Sequence, residues 1–151
     1  MYYTAYYDSP VGMLTMVSNG TNLVELSYGK FVYDENRELP VFGMTRRWLD
    51  IYFAGKCPDF TPPLALQGTP FRKKVWNILL AIPYGKTVTY GEIARRFSSK
   101  MSAQAIGGAV GHNPVSIIVP CHRVIGADGS LTGYGGGLDR KEKLLRLEKA
   151  I

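Results

Sequence analysis

The chain has 151 residues, 46% hydrophobic and 20% charged, which allows one medium domain or two small ones with a real core and excludes a disordered chain. No apolar run approaches the roughly 18 residues of a membrane span, Met1-Tyr2-Tyr3-Thr4 does not open a signal peptide, and two cysteines make no secreted, disulfide-stapled framework. The net charge of +6 is unevenly placed: residues 1–62 hold five Lys/Arg against seven Asp/Glu, and residues 63–151 hold thirteen against five. A basic second half is the footprint of a polyanion binder, or simply a solvated basic surface. A reducing compartment is expected, cytoplasmic or, in a eukaryote, nuclear.

In chain order, Tyr2 to Tyr7 reads as an aromatic-rich strand stopped by Asp8-Ser9-Pro10. Met13 to Ser18 is a second strand, closed by the hairpin dipeptide Asn19-Gly20, and Leu23 to Tyr28 is a third. Helical spacing of Trp48, Ile51 and Tyr52 predicts a helix over Met44 to Phe53, with Gly55 just past its end. Residues 57–70 carry four prolines and Gly68 and read as a linker. The expected domains are 1–60, an α/β unit, and 69–151, with 61–68 between them. Thr69-Pro70 makes a helix start, followed by Phe71, Val75, Leu79 and Ile82 at helical spacing, and Pro83-Tyr84-Gly85 stops that helix. Two short helices, Tyr90 to Phe97 and Ser102 to Gly111, form a helix-turn-helix in the basic half. Ile117-Ile118-Val119 leads into Pro120-Cys121-His122, and Leu138 to Leu147 closes as a basic amphipathic helix. The predicted class is α+β: a small N-terminal antiparallel sheet with a helix, then a mostly helical C-terminal domain.

The richest chemical cluster is Asn113-Pro114 followed by Pro120-Cys121-His122-Arg123-Val124. A thiol needs a neighbouring base or cation to become a thiolate at neutral pH. His122 is adjacent, but neighbours in an extended segment point to opposite faces, so a Cys–His contact needs a turn or a bridging water. The alternative is a buried structural cysteine. Cys57, Cys121, His112 and His122 match a Cys₂His₂ count but lack the spacing of a zinc site, and no metal is expected. A cysteine hydrolase would draw on Cys121, a histidine and Asn113, yet has no need of a basic helix-turn-helix. Gly107-Gly108 inside a helix costs roughly 1 kcal/mol per glycine; it serves tight helix packing or close approach of the helix to DNA. Tyr90, Tyr134 and Gly135-Gly136-Gly137 say little alone.

From Phe71 to Glu148 the pattern resembles the O6-alkylguanine-DNA alkyltransferases, the methylated-DNA–protein-cysteine methyltransferases. The matching segments are Ile82-Pro83-Tyr84-Gly85, Val88-Thr89-Tyr90, Ala105-Ile106-Gly107-Gly108-Ala109, Asn113-Pro114, Ile118-Val119-Pro120-Cys121-His122-Arg123-Val124-Ile125, Gly133-Tyr134-Gly135-Gly136-Gly137-Leu138, and Lys141-Glu142 leading to Leu144-Leu145 and Glu148. The first sixty residues match only in general character, a ribonuclease H-like domain. The resemblance implies that Cys121 is the alkyl acceptor and that His122, linked through a water to Glu148, draws off its proton. It implies that Asn113 is a hinge and that Tyr90 helps rotate the nucleotide outward and protonates the departing base. Val124, Tyr134, Gly135, Lys141 and Ser116 would bind the alkylated guanine. Ala103, Gln104, Ala105, Gly107 and Gly108 would meet DNA, in the minor groove. The implied partner is double-stranded DNA containing O6-alkylguanine, bound by a monomer without cofactor or membrane.

Three positions depart from the family pattern. Gln104 stands where most members have an arginine that fills the gap left by the flipped base, which predicts weaker DNA binding. Ser116 replaces a common proline and Gly135 a common serine; both predict a wider pocket that tolerates bulky O6 groups such as benzyl.

Overall fold

The computed structural model describes all residues from Met1 to Ile151. They form two compact units, one of residues 1–67 with 114–116, the other of residues 68–113 with 117–151. No helix is long and apolar enough to cross a membrane.

The first unit is built on strands β1 (Tyr3–Ser9), β2 (Gly12–Ser18), β3 (Leu23–Tyr28) and β4 (Glu35–Asn36), in sheet order β3-β2-β1-β4. A tight turn at Pro10-Val11 joins β1 to β2 in antiparallel register, Tyr3 opposite Ser18 and Ser9 opposite Gly12. The β2–β3 loop is longer than the Asn19-Gly20 dipeptide suggests. Asn19 Oδ1 accepts from the backbone N–H groups of Thr21 and Asn22, at 3.2 and 2.9 Å, so the asparagine builds a side-chain turn instead of a two-residue hairpin. The sheet is also not wholly antiparallel, because β4 pairs parallel with β1, Tyr3 beside Glu35.

Leu14 through Ser18 of β2 are all buried, as befits a central strand covered on both faces. The buried Thr15 hydroxyl donates to Gly29 O at 2.7 Å and accepts from Phe31 N–H at 3.0 Å, which removes the cost of burying it. Helix α1 spans Pro40–Phe53, four residues longer at its start than the predicted Met44. Pro40 fixes a helical φ where no N–H is needed, and Val41 and Phe42 extend the buried stripe of Thr45, Trp48, Leu49 and Tyr52. The helix ends where Gly55 takes φ +82°.

Residues 114–116 return to this unit although the predicted boundary put everything from residue 69 into the second. Leu26 N–H donates to Pro114 O and Ser116 N–H donates to Leu26 O, both at 2.9 Å. Val115 thus bridges Leu26 in parallel.

The second unit comprises α2 (Pro70–Leu80), β5 (Val88–Thr89), α3 (Tyr90–Phe97), α4 (Ala103–Gly111), a 3₁₀ turn (Cys121–Arg123), β6 (Val124–Ile125) and α5 (Leu138–Leu147). Side-chain caps start three of its helices: Thr69 accepts from Arg72 N–H, Thr89 from Glu92 N–H and Ser102 from Ala105 N–H. Each cap satisfies an N–H that the helix leaves orphaned. Trp76, 1% exposed, donates its indole N–H to Ala109 O at 2.9 Å and ties α2 to α4. β5 and β6 pair in parallel, Val88 beside Val124, and bring the end of the 3₁₀ turn next to the start of α3.

Gly68 lies against Trp76 so closely that a Cβ there would stand 2.5 Å from Cη2 of the indole. The ring is pinned by its hydrogen bond, so it cannot swing aside cheaply. Gly68→Ala is expected to lower the unfolding free energy by about 1–3 kcal/mol, read as a fall in urea midpoint; an unchanged midpoint would show that the ring has room.

Candidate active site

The path to Cys121 is a series of constrained steps. α4 ends at His112, and Asn113 follows with its N–H on Val110 O at 3.2 Å. Ile117, fully buried, adopts φ +72°, a conformation that β-branched residues rarely take and that costs of order 1–3 kcal/mol. At Pro120 (φ −82°, ψ 64°) the chain makes an inverse γ-turn, with Cys121 N–H on Val119 O at 2.8 Å. The 3₁₀ turn begins at once. With three residues per turn, Cys121, His122 and Arg123 leave the backbone in three different directions and all are buried. This replaces the extended segment considered for the sequence.

Asn113 holds the turn from the α4 side. Its Nδ2 donates to Val119 O at 2.8 Å, and its side chain also hydrogen-bonds the Cys121 thiol, as does the backbone N–H of His122. Burial pushes the thiol pKa up; those hydrogen bonds and the charge of Lys141 oppose the shift without reversing it. The resting thiol is therefore protonated at neutral pH and needs a base.

His122 Nε2 lies 2.6 Å from Glu148 Oε2, with both side chains fully buried. The resemblance implied a water between these two residues; the contact is direct, because Glu148 at the C-cap of α5 reaches the 3₁₀ turn itself. Glu148 has its pKa lowered to about 2: burial raises it, but the hydrogen bonds and charges of His122 and Arg123 outweigh that. Burial, the largest influence, keeps His122 below its ordinary pKa, with Glu148 opposing. The pair is thus a neutral imidazole on a carboxylate. An ionised carboxylate only accepts, so Nε2 carries the hydrogen and Nδ1 is the basic nitrogen. Glu148 Oε1 accepts from Arg123 Nε at 2.8 Å and from Gly85 N–H at 3.1 Å.

Lys141 is a fully buried ammonium whose Nζ donates to Val124 O at 2.6 Å and Thr132 O at 2.8 Å. Burial lowers its pKa to about 8, against the pull of Cys121. It anchors β6 to the loop before α5 and places positive charge near the thiol. Tyr90, at the start of α3, donates to Thr132 O and Gly133 O at 3.3 and 3.4 Å. Val124 is buried beside the 3₁₀ turn, Tyr134 is half-buried, and Gly135 is exposed with nothing within 4 Å of an added Cβ. Ser116 lies in the first unit, apart from these residues in the division of the chain.

On α4, Ala103, Gln104, Ala105 and Gly108 are exposed and Gly107 is half-buried. A Cβ on Gly108 would meet nothing within 4 Å, and one on Gly107 only the Tyr90 ring at 3.9 Å. Packing within the chain does not demand either glycine. No cluster of three or more His, Cys, Asp and Glu side chains is placed to hold a metal ion. Arg123 is the member of this site that the sequence reading noticed only as a neighbour of Cys121. Its place in the sequence, between His122 and the apolar Val124-Ile125, gave no hint of its partner, which is 25 residues away.

A buried cysteine, an imidazole–carboxylate pair and a capped helix-turn-helix thus share one unit. A family model described as "6-O-methylguanine DNA methyltransferase, DNA binding domain" matches residues 70–150, and its "ribonuclease-like domain" counterpart matches residues 1–66. The chain belongs to this methyltransferase family. A methylated-DNA–protein-cysteine methyltransferase of Mycobacterium tuberculosis is 48% identical over 95% of this chain and 90% of its own. One from Methanosarcina acetivorans is 47% identical over 98% of each. The crystal structure of the M. tuberculosis O6-methylguanine methyltransferase superposes with a TM-score of 0.88 at 46% identity, covering 99% of this chain and 94% of that one. The mycobacterial protein in complex with DNA gives 0.87 at 47% identity, covering 99% and 92%.

Proposed function

We propose that this chain is a monomeric DNA repair protein that takes an O6-alkylguanine out of the duplex and moves the alkyl group, once and irreversibly, to Cys121. The observation that carries this reading is the buried Cys121 turn with its His122–Glu148 pair in a chain of this family. A base in the stack cannot present O6 to a buried thiol, so it must be flipped out, at a cost of a few kcal/mol.

The transfer balances within protein and base. The Cys121 proton passes to His122, whose positive charge Glu148 stabilises. The thiolate attacks the alkyl carbon; the S–C bond forms as the C–O6 bond breaks. Guanine leaves with the electron pair and takes up one proton, with Tyr90 as the donor. Lys141 steadies the negative charge on sulfur. Asn113 keeps α4 and the thiol in register. Val124 and Tyr134 line the base pocket, and the openness at Gly135 admits bulky alkyl groups. The site offers no nucleophile able to displace the thiolate from the alkyl carbon, so each molecule acts once. Ala103, Gln104, Ala105, Gly107 and Gly108 form the face of α4 that approaches the DNA.

The test is intact-protein mass spectrometry with excess O6-methylguanine duplex and, separately, O6-benzylguanine. One alkyl mass per chain, never two, is expected; folded protein that gains no mass from either substrate removes the transferase reading. A second prediction concerns affinity. Gln104→Arg adds a cation to the exposed second residue of α4. It should tighten duplex binding and steepen its salt dependence by about one counterion. Unchanged affinity in fluorescence anisotropy would place Gln104 away from the DNA.

A further inference from the structure

The turn Ile82–Gly85 and the neighbouring Arg123 have no part in the transfer as described, yet they converge on Glu148. Arg123 Nη1 donates to Ile82 O at 2.7 Å, and its Cζ stands 5.7 Å from the Tyr84 ring centroid. Arg123 Nε and the Gly85 N–H both donate to Glu148 Oε1. Gly85 holds φ +78°, and a Cβ there would come 3.1 Å from the Glu148 carbonyl oxygen, so the turn has to pass this close. Arg123 is only 7% exposed. A guanidinium so buried is tolerable only when its charge and its N–H groups are met, and here they are met by a carboxylate, a carbonyl and an aromatic face.

We propose that Arg123 is a positioning residue. Together with the Ile82–Gly85 turn it occupies Glu148 Oε1, so that Oε2 alone faces His122, and the imidazole is held with its hydrogen on Nε2 and with Nδ1 as the base. The fork geometry matters as well as the charge, since Nε and Nη1 fix the guanidinium plane between two acceptors. The charged and titratable groups bearing on His122 are Glu148, which favours its protonated form, and Arg123 and Lys141, which oppose it; Cys121 is its chain neighbour. Those bearing on Glu148 are His122 and Arg123. Removing the Arg123 charge therefore makes His122 easier to protonate, and the base becomes available only at higher pH.

This inference rests on the alkyl-transfer reading, and the experiment separates the two. Single-turnover transfer from O6-benzylguanine is measured across pH in the parent chain, Arg123→Met and Arg123→Lys, with ¹⁵N shifts of the His122 ring recorded on each. Arg123→Met is expected to be about tenfold slower at neutral pH, its acid limb displaced upward by about one pH unit, and its imidazole to lose the pure Nε2–H tautomer. Arg123→Lys keeps the charge and should return the limb to the parent position while recovering the rate only in part. If Arg123→Met fails to fold, Arg123→Gln, neutral but still a donor, carries the same expectation for the limb, which the charge sets. An unmoved limb with an unchanged tautomer overturns the proposal, however far the rate falls. A parent chain that transfers nothing overturns the transfer reading instead, and the ring shifts then still decide whether Arg123 sets the tautomer.

Discussion

Cys121→Ala is expected to gain no mass from O6-methylguanine duplex or O6-benzylguanine, whereas Cys57→Ala is expected to gain one alkyl group, as the parent should. The two thiols differ in kind. Cys57 is exposed, with its sulfur 3.6 Å from Pro58 O. Cys121 is buried, held by the Asn113 side chain and the His122 backbone N–H, with a buried ammonium in its field. Transfer demands a fixed sulfur with a proton acceptor beside it, because proximity and orientation supply much of the acceleration. Duplex binding by Cys121→Ala should be unchanged, since the exposed face of α4 is untouched, and anisotropy can check this. Retained mass gain in Cys121→Ala would move the acceptor elsewhere.

Glu148→Ala is expected to be the most destabilising substitution in the second unit. It strips the carboxylate from His122, Arg123 and the Gly85 N–H together and leaves a buried guanidinium without its counter-charge. Breaking such a pair costs about 3–5 kcal/mol, enough to unfold much of a marginally stable protein. Acid should show the same bond. The folded pKa of Glu148 lies near 2 against an ordinary 4.5. Its contribution is therefore fully present above the ordinary value and is lost as pH falls toward the folded one. Glu148→Gln, which cannot ionise, should flatten the stability profile between about pH 4.5 and 2. Urea midpoints across that range decide it. An alanine variant within about 1 kcal/mol of the parent would mean that the carboxylate is not holding the turn.

Elements whose signals are local were legible in the sequence. Thr69-Pro70 announced its helix because a cap is read from one or two residues. Leu138 to Leu147 was visible as an amphipathic period. The two-residue strands β4, β5 and β6 were not. They carry too few side chains to show a period and exist only because a distant partner offers backbone groups. The start of α1 was missed because the helix was read from the spacing of Trp48, Ile51 and Tyr52 alone, although proline is at home in a first turn. At the site, the residue types and the order of Asn113, Cys121, His122 and Glu148 were legible, largely through family likeness. The direct His122–Glu148 contact and the part played by Arg123 were not. Both depend on a 3₁₀ turn that sends three consecutive side chains apart and on partners 25 or 26 residues onward.

The return of residues 114–116 to the edge of β3 bears on how such a protein can be taken apart. The chain leaves the second unit directly after Asn113 and re-enters it at Ile117, four residues before the thiol. The Pro-rich stretch near residue 60 looks like a natural cutting point, but a fragment beginning at Thr69 would carry the reactive turn without the strand that pairs Pro114 and Ser116. Two backbone groups would then face water, and the strained Ile117 would lose its flanking support. In modular terms the halves are interlaced, not concatenated. A graft or gene fusion that exchanges the first unit must supply an equivalent strand edge in the same register, or it alters the setting of the thiol along with the scaffold.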